Sequence, residues 1–556
     1  MSNIFNTVPV KSPNRMRNHL TPVNTMSFNF GGIYPIFCKT VLPGDRWSMA
    51  VQSFVRTVPL LSPVMSRNDL KIDAFFVPFR LIWKNAPEWH QMTDETLRRP
   101  MMYIDPEEES LGSQIYDQVF GESSLNDYFG FASIPASVLT NAGKTIYDRK
   151  VCALPWRAYR FIYDFYYRNK SVELDVQEEL NKEQVDYDFY GNDDLVIDKD
   201  IFQAIFPDSD HLYVDEEDLK VFLRPWRRDI FTSALPDPQN GADILIPQAE
   251  IVDDGTLQLL GKNPVGSQAI YTTEATGDQL SSGGSPDKLL KYKSGLQLDP
   301  TGPTIRQLRY ASYLEEFEEA QARGGSNKGF KEWLRNIWGV KSSDARLDRP
   351  EYLGGYRGPI QISEVPQTSQ GTESSPQGTL AGKGLSIGGN RLFKKMYFEE
   401  PGILMVLMSI VPKTAYCQGD PREWLYESPF DFPNPFFDNL GEQEVKAAEL
   451  NAMALYSSAP AFANKIFGYN IRNYEMKSYP DEIHGAMRST LAYWHEGRLF
   501  DWTNMPGLNT QFLKSAPWDV SRIFPATETS DKLIGQFFFD IRHKRNLSLY
   551  GLPKFG

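Results

Sequence analysis

The sequence predicts a mainly β chain whose antiparallel strands are separated by helical and loop insertions. Three observations support this. Aromatic residues reach 13%, with 35 Phe and 27 Tyr, and 38 Pro and 40 Gly punctuate the chain, a mixture that favours short strands joined by turns over a helical bundle. Apolar runs of strand length recur near both ends of the chain, at 28–37, 47–51, 70–77, 396–398, 403–411 and 537–541. Helical periodicity is confined to a few stretches between them.

Residues 1–22 are polar and Pro-rich and carry Lys11, Arg15, Arg17 and His19, so they read as an extended arm. Three strands follow: Phe28 to Phe37, Trp47 to Val51, and Leu70 to Val77, parted by Pro-Gly-Asp and Ser-Arg-Asn-Asp turns. Residues 84–150 alternate short helical and loop signals. At 154–169 Trp156, Tyr159, Phe161, Ile162, Phe165 and Tyr166 lie densely enough for a helix with a broad buried side. The acidic stretch 173–218 reads as a solvated surface insertion, folded because Phe189, Leu195, Ile197, Phe202 and Phe206 intersperse its charges. A short strand at 244–246 precedes residues 253–300, whose Gly, Ser, Thr and Asp content fits a long loop carrying hairpins.

At 304–317 Tyr310, Tyr313, Leu314 and Phe317 share one helical face between a Thr304 N-cap and a Gly324-Gly325 stop. A second helix places Phe330, Trp333, Leu334, Ile337 and Trp338 together, so the pair reads as a hairpin docked on a larger β framework. Residues 366–390 are of low complexity and read as a connection. Strands resume at Lys395, the run 403–411 reads as buried on both faces, and 537–541 forms the last strand. The tail 542–556 reads as a terminal arm. One discontinuous β domain, 23–541, thus carries insertions at about 84–150, 170–220, 250–300 and 304–390.

Composition excludes several functions. The 58 Lys and Arg against 71 Asp and Glu give a formal charge of −13, so any contact with nucleic acid must come from a local patch. Cys38, Cys152 and Cys417 lie far apart with no C-x-x-C, which offers neither a zinc site nor a disulfide framework. The six histidines form no H-x-x-x-H pair, and no D-x-D-x-D-G calcium loop occurs. No cofactor is expected. Gly384-Leu385-Ser386-Ile387-Gly388 matches G-x-S-x-G but lacks the following helix that exposes such a nucleophile. No secretory apolar core and no run of 18 apolar residues is present, which predicts neither export nor membrane insertion. Phosphates need cations and bases need rings, and three groups supply them: Lys11, Arg15 and Arg17; Arg224, Trp226, Arg227 and Arg228; and His543, Lys544 and Arg545. The same arginines beside Trp226 would equally suit a core or an interface.

Ordered blocks add a resemblance. They are DLKIDAFFVPFRLIW at 69–83, NDYFGF at 126–131, LPWRAYR at 154–160, DIFTSALP at 229–236, IRQLR at 305–309, ARGG at 322–325, DARLDRPEYLGG at 344–355, VPQTS at 365–369, GEQEV at 441–445 and FGY at 467–469. Together they resemble the major capsid protein of the Microviridae, the small single-stranded-DNA bacteriophages, most nearly the gokushovirus-like branch. Asp237 departs from that branch, which has Trp after SALP, and so does Glu400-Pro401-Gly402. The resemblance implies a single eight-stranded antiparallel jelly roll, no enzymatic activity, and self-assembly through pentamers into a T=1 icosahedral shell around circular single-stranded DNA. It also implies a small basic DNA-condensing protein, scaffolding and pilot proteins and a host surface receptor as partners, with assembly in the bacterial cytoplasm. The competing class is a β-sandwich carbohydrate-binding protein or glycoside hydrolase, which would share the acidity and aromatic content.

Overall fold

A computed structural model describes residues 16–205, 221–238, 348–366, 380–525 and 531–547 with short breaks, together with strand segments between 251 and 298 and a helix over 309–316. The chain forms two compact units, Met1–Pro238 with Gly324–Gly556, and Gln239–Arg323.

The first unit is organised by one antiparallel sheet. Its strands are β1 (Met16–Leu20), β2 (Val23–Phe28), β3 (Tyr34–Val41), β4 (Arg46–Thr57), β5 (Asn68–Pro78), β6 (Glu351–Pro366), β7 (Leu380–Tyr397), β8 (Gly402–Pro412) and β9 (Leu533–Arg545). Their order across the sheet is β1-β9-β4-β7-β6-β5-β8-β3, with β2 also paired to β9. Because β2 pairs with 533–538 and β1 with 541–545 of the same strand, the two occupy one row broken at Thr21-Pro22. Nine strand segments therefore make the eight rows expected of a jelly roll. Asn24 Nδ2 of β2 donates to the Ile36 carbonyl of β3 at 2.8 Å, so the two ends of the sheet meet and the sheet curls.

Alternation decides which side is inward. Along β4, Trp47, Met49, Val51 and Val55 are buried, and β9 answers them with His543, Ile541, Phe539 and Gly535 in register. Strand β8 is buried at every position, as its run of apolar residues, interrupted only by Ser409, implies. Helix α1 (Leu154–Tyr166) starts with Pro155 at a position that tolerates its missing N–H, and its residues from Trp156 to Asp164 are all buried. It packs on β5, where Tyr166 meets Phe75 with ring centroids 4.9 Å apart.

Several expectations are corrected. The connection predicted at 366–390 is strand from Leu380 onward, where β7 begins, with 367–379 outside the described residues, and β6 already occupies 351–366 inside the segment taken as an insertion. Glycine misled the reading: a Cβ on Gly382 would sit 2.3 Å from the Ser62 carbonyl oxygen, and one on Gly388 would sit 1.9 Å from the Tyr356 hydroxyl. The residues are small because neighbouring chain passes close by. Both proposed arms also contribute strand, β1 at one end and 542–545 of β9 at the other. Ser386 is buried mid-strand with its Oγ donating to the Pro359 carbonyl at 3.0 Å, far from a nucleophile elbow.

The acidic stretch is folded, with Leu180, Phe189, Leu195, Ile197 and Phe202 buried in the main core. Its run at 215–218 lies outside the described residues, as do the strand at 244–246 and the helix at 330–338. In the second unit, 251–252 pairs with 297–298, and 259–262 pairs with both 268–271 and 290–292, consistent with a loop region carrying hairpins. The helix over 309–316 leaves Tyr310 and Tyr313 exposed, contrary to the buried face expected of it.

Candidate functional site

Register across β1, β9, β4 and β7 builds a cationic row. Arg17 stands opposite Lys544, Lys544 opposite Arg46, and Arg46 opposite Tyr397. Directly paired residues of an antiparallel sheet share a face, and these lie on the solvent side, with Arg17, Arg46 and Tyr397 exposed and Lys544 half-buried. The Arg46 guanidinium covers the Tyr397 ring at 5.4 Å. Like charges facing one another across strands are unfavourable by themselves, and an anion laid across the row would relieve that. Arg17 and Lys544, 527 positions apart by subtraction of their numbers, are brought together by the pairing of β1 with β9. The sequence offered Arg17 and Lys544 as separate arms and missed Arg46, whose strand-start position beside the β9 register was the only signal.

The neighbouring row turns inward. His543 stacks on Trp47, centroids 5.1 Å apart and planes 21° from parallel, and Arg545 is held by buried Asp45 through Nε at 3.0 Å and Nη2 at 2.9 Å. Asp45 also accepts from the Leu42 N–H and the Trp47 indole, each at 3.1 Å, so it ties a turn to the last strand. His543 and Arg545 therefore serve the fold in this chain. Burial and the Arg545 charge push the His543 pKa down from 6.5, opposed by Asp45. A depressed histidine contributes stability above its unfolded pKa that is lost as pH falls through the folded one, so acidification below about pH 6.5 should weaken this corner. His543→Phe keeps the ring and removes the protonation site. Thermal unfolding at pH 7.5 and 5.5 should then show a smaller acid loss in the variant than in the wild type, and an equal loss would refute the assignment.

A second basic region is a cleft of about 280 Å³ whose lining includes Lys71, Arg168, Arg224, Arg227, Arg228 and Trp226. The segment 221–226 reaches it by threading between two others: the Arg224 N–H donates to the Gly31 carbonyl at 2.7 Å, and the Trp226 N–H to that of Leu513 at 3.0 Å. Asp229 then caps the next turn, its Oδ1 accepting from the Thr232 N–H at 2.8 Å. Arg224 is not free: Nη1 contacts Asp73 Oδ2 at 3.2 Å and donates to Ser409 Oγ at 2.6 Å, and its guanidinium lies 5.0 Å from the Tyr167 ring. Trp226 is buried beneath Arg498 at 5.1 Å, so the tryptophan offered as a stacking surface is already used inside the chain. Arg227 and Arg228 are exposed. Burial, then the charges of Arg224 and Arg357, lower the Lys71 pKa to about 8. Lys71 and Arg168 escaped the sequence reading because only the fold brings them to Arg224. Lys11 and Arg15 lie outside the described residues.

The motif blocks converge. GEQEV lies on the strand Glu442–Lys446 and FGY on Ile466–Ile471, and these two strands pair, with Val445 opposite Gly468. DIFTSALP joins them through a bridge from Leu235 to Tyr469. Ile230, Phe231, Val445, Phe467 and Phe512 form a second apolar core there. Among the described residues no group of three or more His, Cys, Asp or Glu side chains could hold a metal, and no helix is long and apolar enough to cross a membrane.

Comparison with known proteins agrees with this geometry. The family model described as capsid protein (F protein) matches residues 6–555. Capsid protein VP1 of Bdellovibrio phage phiMH2K is 30% identical over 550 residues, covering 95% of this chain and 93% of the relative. Capsid protein VP1 of Chlamydia phage 1 is 29% identical over 617 residues, covering 100% of this chain and 98% of the relative, and that of Spiroplasma virus 4 is 26% identical over 572 residues, covering 97% and 95%.

Proposed function

This chain belongs to the capsid protein (F protein) family, a structural and non-enzymatic family, and from that premise we propose that it builds a T=1 icosahedral shell around a circular single-stranded DNA genome. The match along almost the whole chain carries the coat reading, and the curled antiparallel sheet with helical insertions suits a jelly-roll subunit. The glycan-binding alternative has no such support.

The cationic row carries the reading of the genome contact. Arg17, Lys544 and Arg46, flanked by the Tyr397 ring, can neutralise successive phosphates and offer one stacking surface. Arg227 and Arg228 at the rim of the cleft are second candidates. With a formal charge of −13 on the subunit, a separate small basic protein would supply the remaining neutralisation. Scaffolding and pilot proteins and a host surface receptor complete the proposed partners, and assembly takes place in the bacterial cytoplasm.

Electron microscopy of the protein expressed with its phage partners should show small closed shells containing nuclease-protected DNA. Binding of a deoxythymidine oligonucleotide to the subunit across a salt series tests the row. Because each phosphate contact to a single strand contributes about 0.7 to the log–log salt slope, Arg17→Ala, Arg46→Ala and Lys544→Ala together should reduce it by roughly 2. An unchanged slope would remove the row from the genome contact while leaving the coat reading intact.

A further inference from the structure

The segment around 422–438 holds an aromatic ledge. Trp424, Phe430, Phe432 and Phe436 are 80, 69, 64 and 92% exposed, four bare rings within thirteen residues of chain. They are not loose. Asp431 accepts from the Glu427 and Ser428 N–H groups at 3.0 and 2.9 Å, and Asn434 Oδ1 accepts from the Phe436 N–H at 3.0 Å. Phe432 rests edge-on against Tyr426 and Phe430 against Phe437, each pair with centroids 6.0 Å apart. From behind, Tyr426 donates to Glu475 at 2.9 Å, Lys446 to the Leu425 carbonyl at 3.2 Å, and half-buried Arg422 to Glu449 at 3.0 Å.

A hydrogen-bonded loop that presents four large rings to water has lost its conformational freedom before meeting a partner. Ordering cost on binding is correspondingly small, and large aromatics are the residues that dominate interface energetics. With about 150–250 Å² per ring, the exposed fractions amount to roughly 600 Å², against about 800 Å² per partner for a standard protein interface. An apolar patch of that size stands at the upper end of what single chains expose, where such patches often serve contacts.

Charge selects the occupant's orientation. Between 420 and 440 stand five acids, Asp420, Glu423, Glu427, Asp431 and Asp438, of which Asp438 pairs with Lys477, and one base, Arg422, which is half-buried and paired with Glu449. Two copies meeting ledge to ledge would bring acid against acid. A different, basic face of the same chain fits instead: Arg391, Lys394 and Lys395 are all exposed at the end of β7. Resting on the coat reading, the geometry points to this ledge as a head-to-tail contact, seated on a basic, differently placed surface of a second copy of the chain. Contacts of that kind generate rings when the rotation closes, which is what a shell vertex requires.

Two experiments on the full-length chain, expressed with its phage partners, test the contact. In the first, Trp424→Ser, Phe430→Ser and Phe436→Ser are combined. Because the rings are exposed, isolated subunits should unfold at the wild-type temperature, while particles recovered by sedimentation should fall at least tenfold. Wild-type particle yield from the triple variant would overturn the contact. So would a lowered unfolding temperature of the isolated subunit, which would mean that the rings cover this chain itself. The second introduces Glu427→Cys beside the ledge and compares maleimide labelling of assembled particles with that of dissociated subunits, after subtracting the wild-type background. Labelling should be at least tenfold slower in particles. Equal rates would place the ledge on an open surface available to some other partner and overturn the contact. If the wild-type chain with its partners forms no shell at all, the coat reading falls, and the contact with it.

Discussion

Arg157→Met should leave a subunit that unfolds several degrees below the wild-type temperature. Arg157 is fully buried in the first turn of α1, and its two terminal nitrogens donate to the Gly191 and Asp193 carbonyls at 2.8 Å each, to that of Ile82 at 3.4 Å and to the Tyr187 hydroxyl at 3.0 Å. It thereby stitches the 187–194 segment and the short helix Phe79–Ile82 that follows β5 to α1. Methionine fills the stem's volume but leaves these acceptors dry. Leaving the two close carbonyls without donors costs about 1–3 kcal/mol each, and because a chain of 556 residues unfolds with an entropy near 2.1 cal/mol/K per residue, each kcal/mol moves the midpoint by only about 1 °C, for a drop of roughly 2–6 °C. Arg391→Met, on an exposed position of β7, should change stability by no more than about 0.5 kcal/mol. A midpoint for Arg157→Met indistinguishable from that control would show that the network is dispensable.

Gly31→Ala should be nearly as damaging, for a different reason. Gly31 has φ +79°, donates to the Ile410 carbonyl of β8 at 2.8 Å and accepts from the Arg224 N–H at 2.7 Å, so it sits where three segments meet. A Cβ there would lie 1.9 Å from the Ser515 carbonyl oxygen. Gly143, with φ +68° and open space around its would-be Cβ, isolates the backbone contribution. Gly143→Ala should cost only about 1–2 kcal/mol of left-handed strain. Gly31→Ala should cost more than twice as much and raise the protease sensitivity of the 221–226 segment. Equal effects from the two alanines would mean that the close approach at Ser515 relaxes freely.

Much of the sheet was legible because burial imposes a period. The alternation of Trp47, Met49, Val51 and Val55 and the apolar run of β8 both reflect what lies on each face. Strands β6 and β7 were not legible, since Gly354, Gly355, Gly382, Gly384, Gly388 and Gly389 give them the composition of loops. Gly354, Gly382 and Gly389 answer to the backbone of other segments, and Gly384 and Gly388 to the Thr57 and Tyr356 side chains, none of which the local sequence contains. The helix α1 was readable from its rings, whereas its buried cations were not singled out. A signal did exist: Arg160, Asp164 and Arg168 follow one another at four-residue intervals along an otherwise aromatic face, and they form ion pairs at 3.1 and 3.9 Å. The candidate contact residues fared unevenly. Charge type picked out Arg17 and Lys544, but only strand register could join them and add Arg46, and only packing could remove Trp226 and His543 from the surface.

The position of β9 has a consequence for synthesis. It lies between the β1–β2 row and β4, so the first strands to leave the ribosome wait for one of the last. At roughly 5–20 residues per second, translating the intervening stretch of about 480 residues takes on the order of 25–100 s. Throughout that interval the edge of β4 is an open template for mispairing, and contacts of such sequence separation are slow to form. A chain released before Leu533 cannot fill the slot, so a truncated product keeps that edge open.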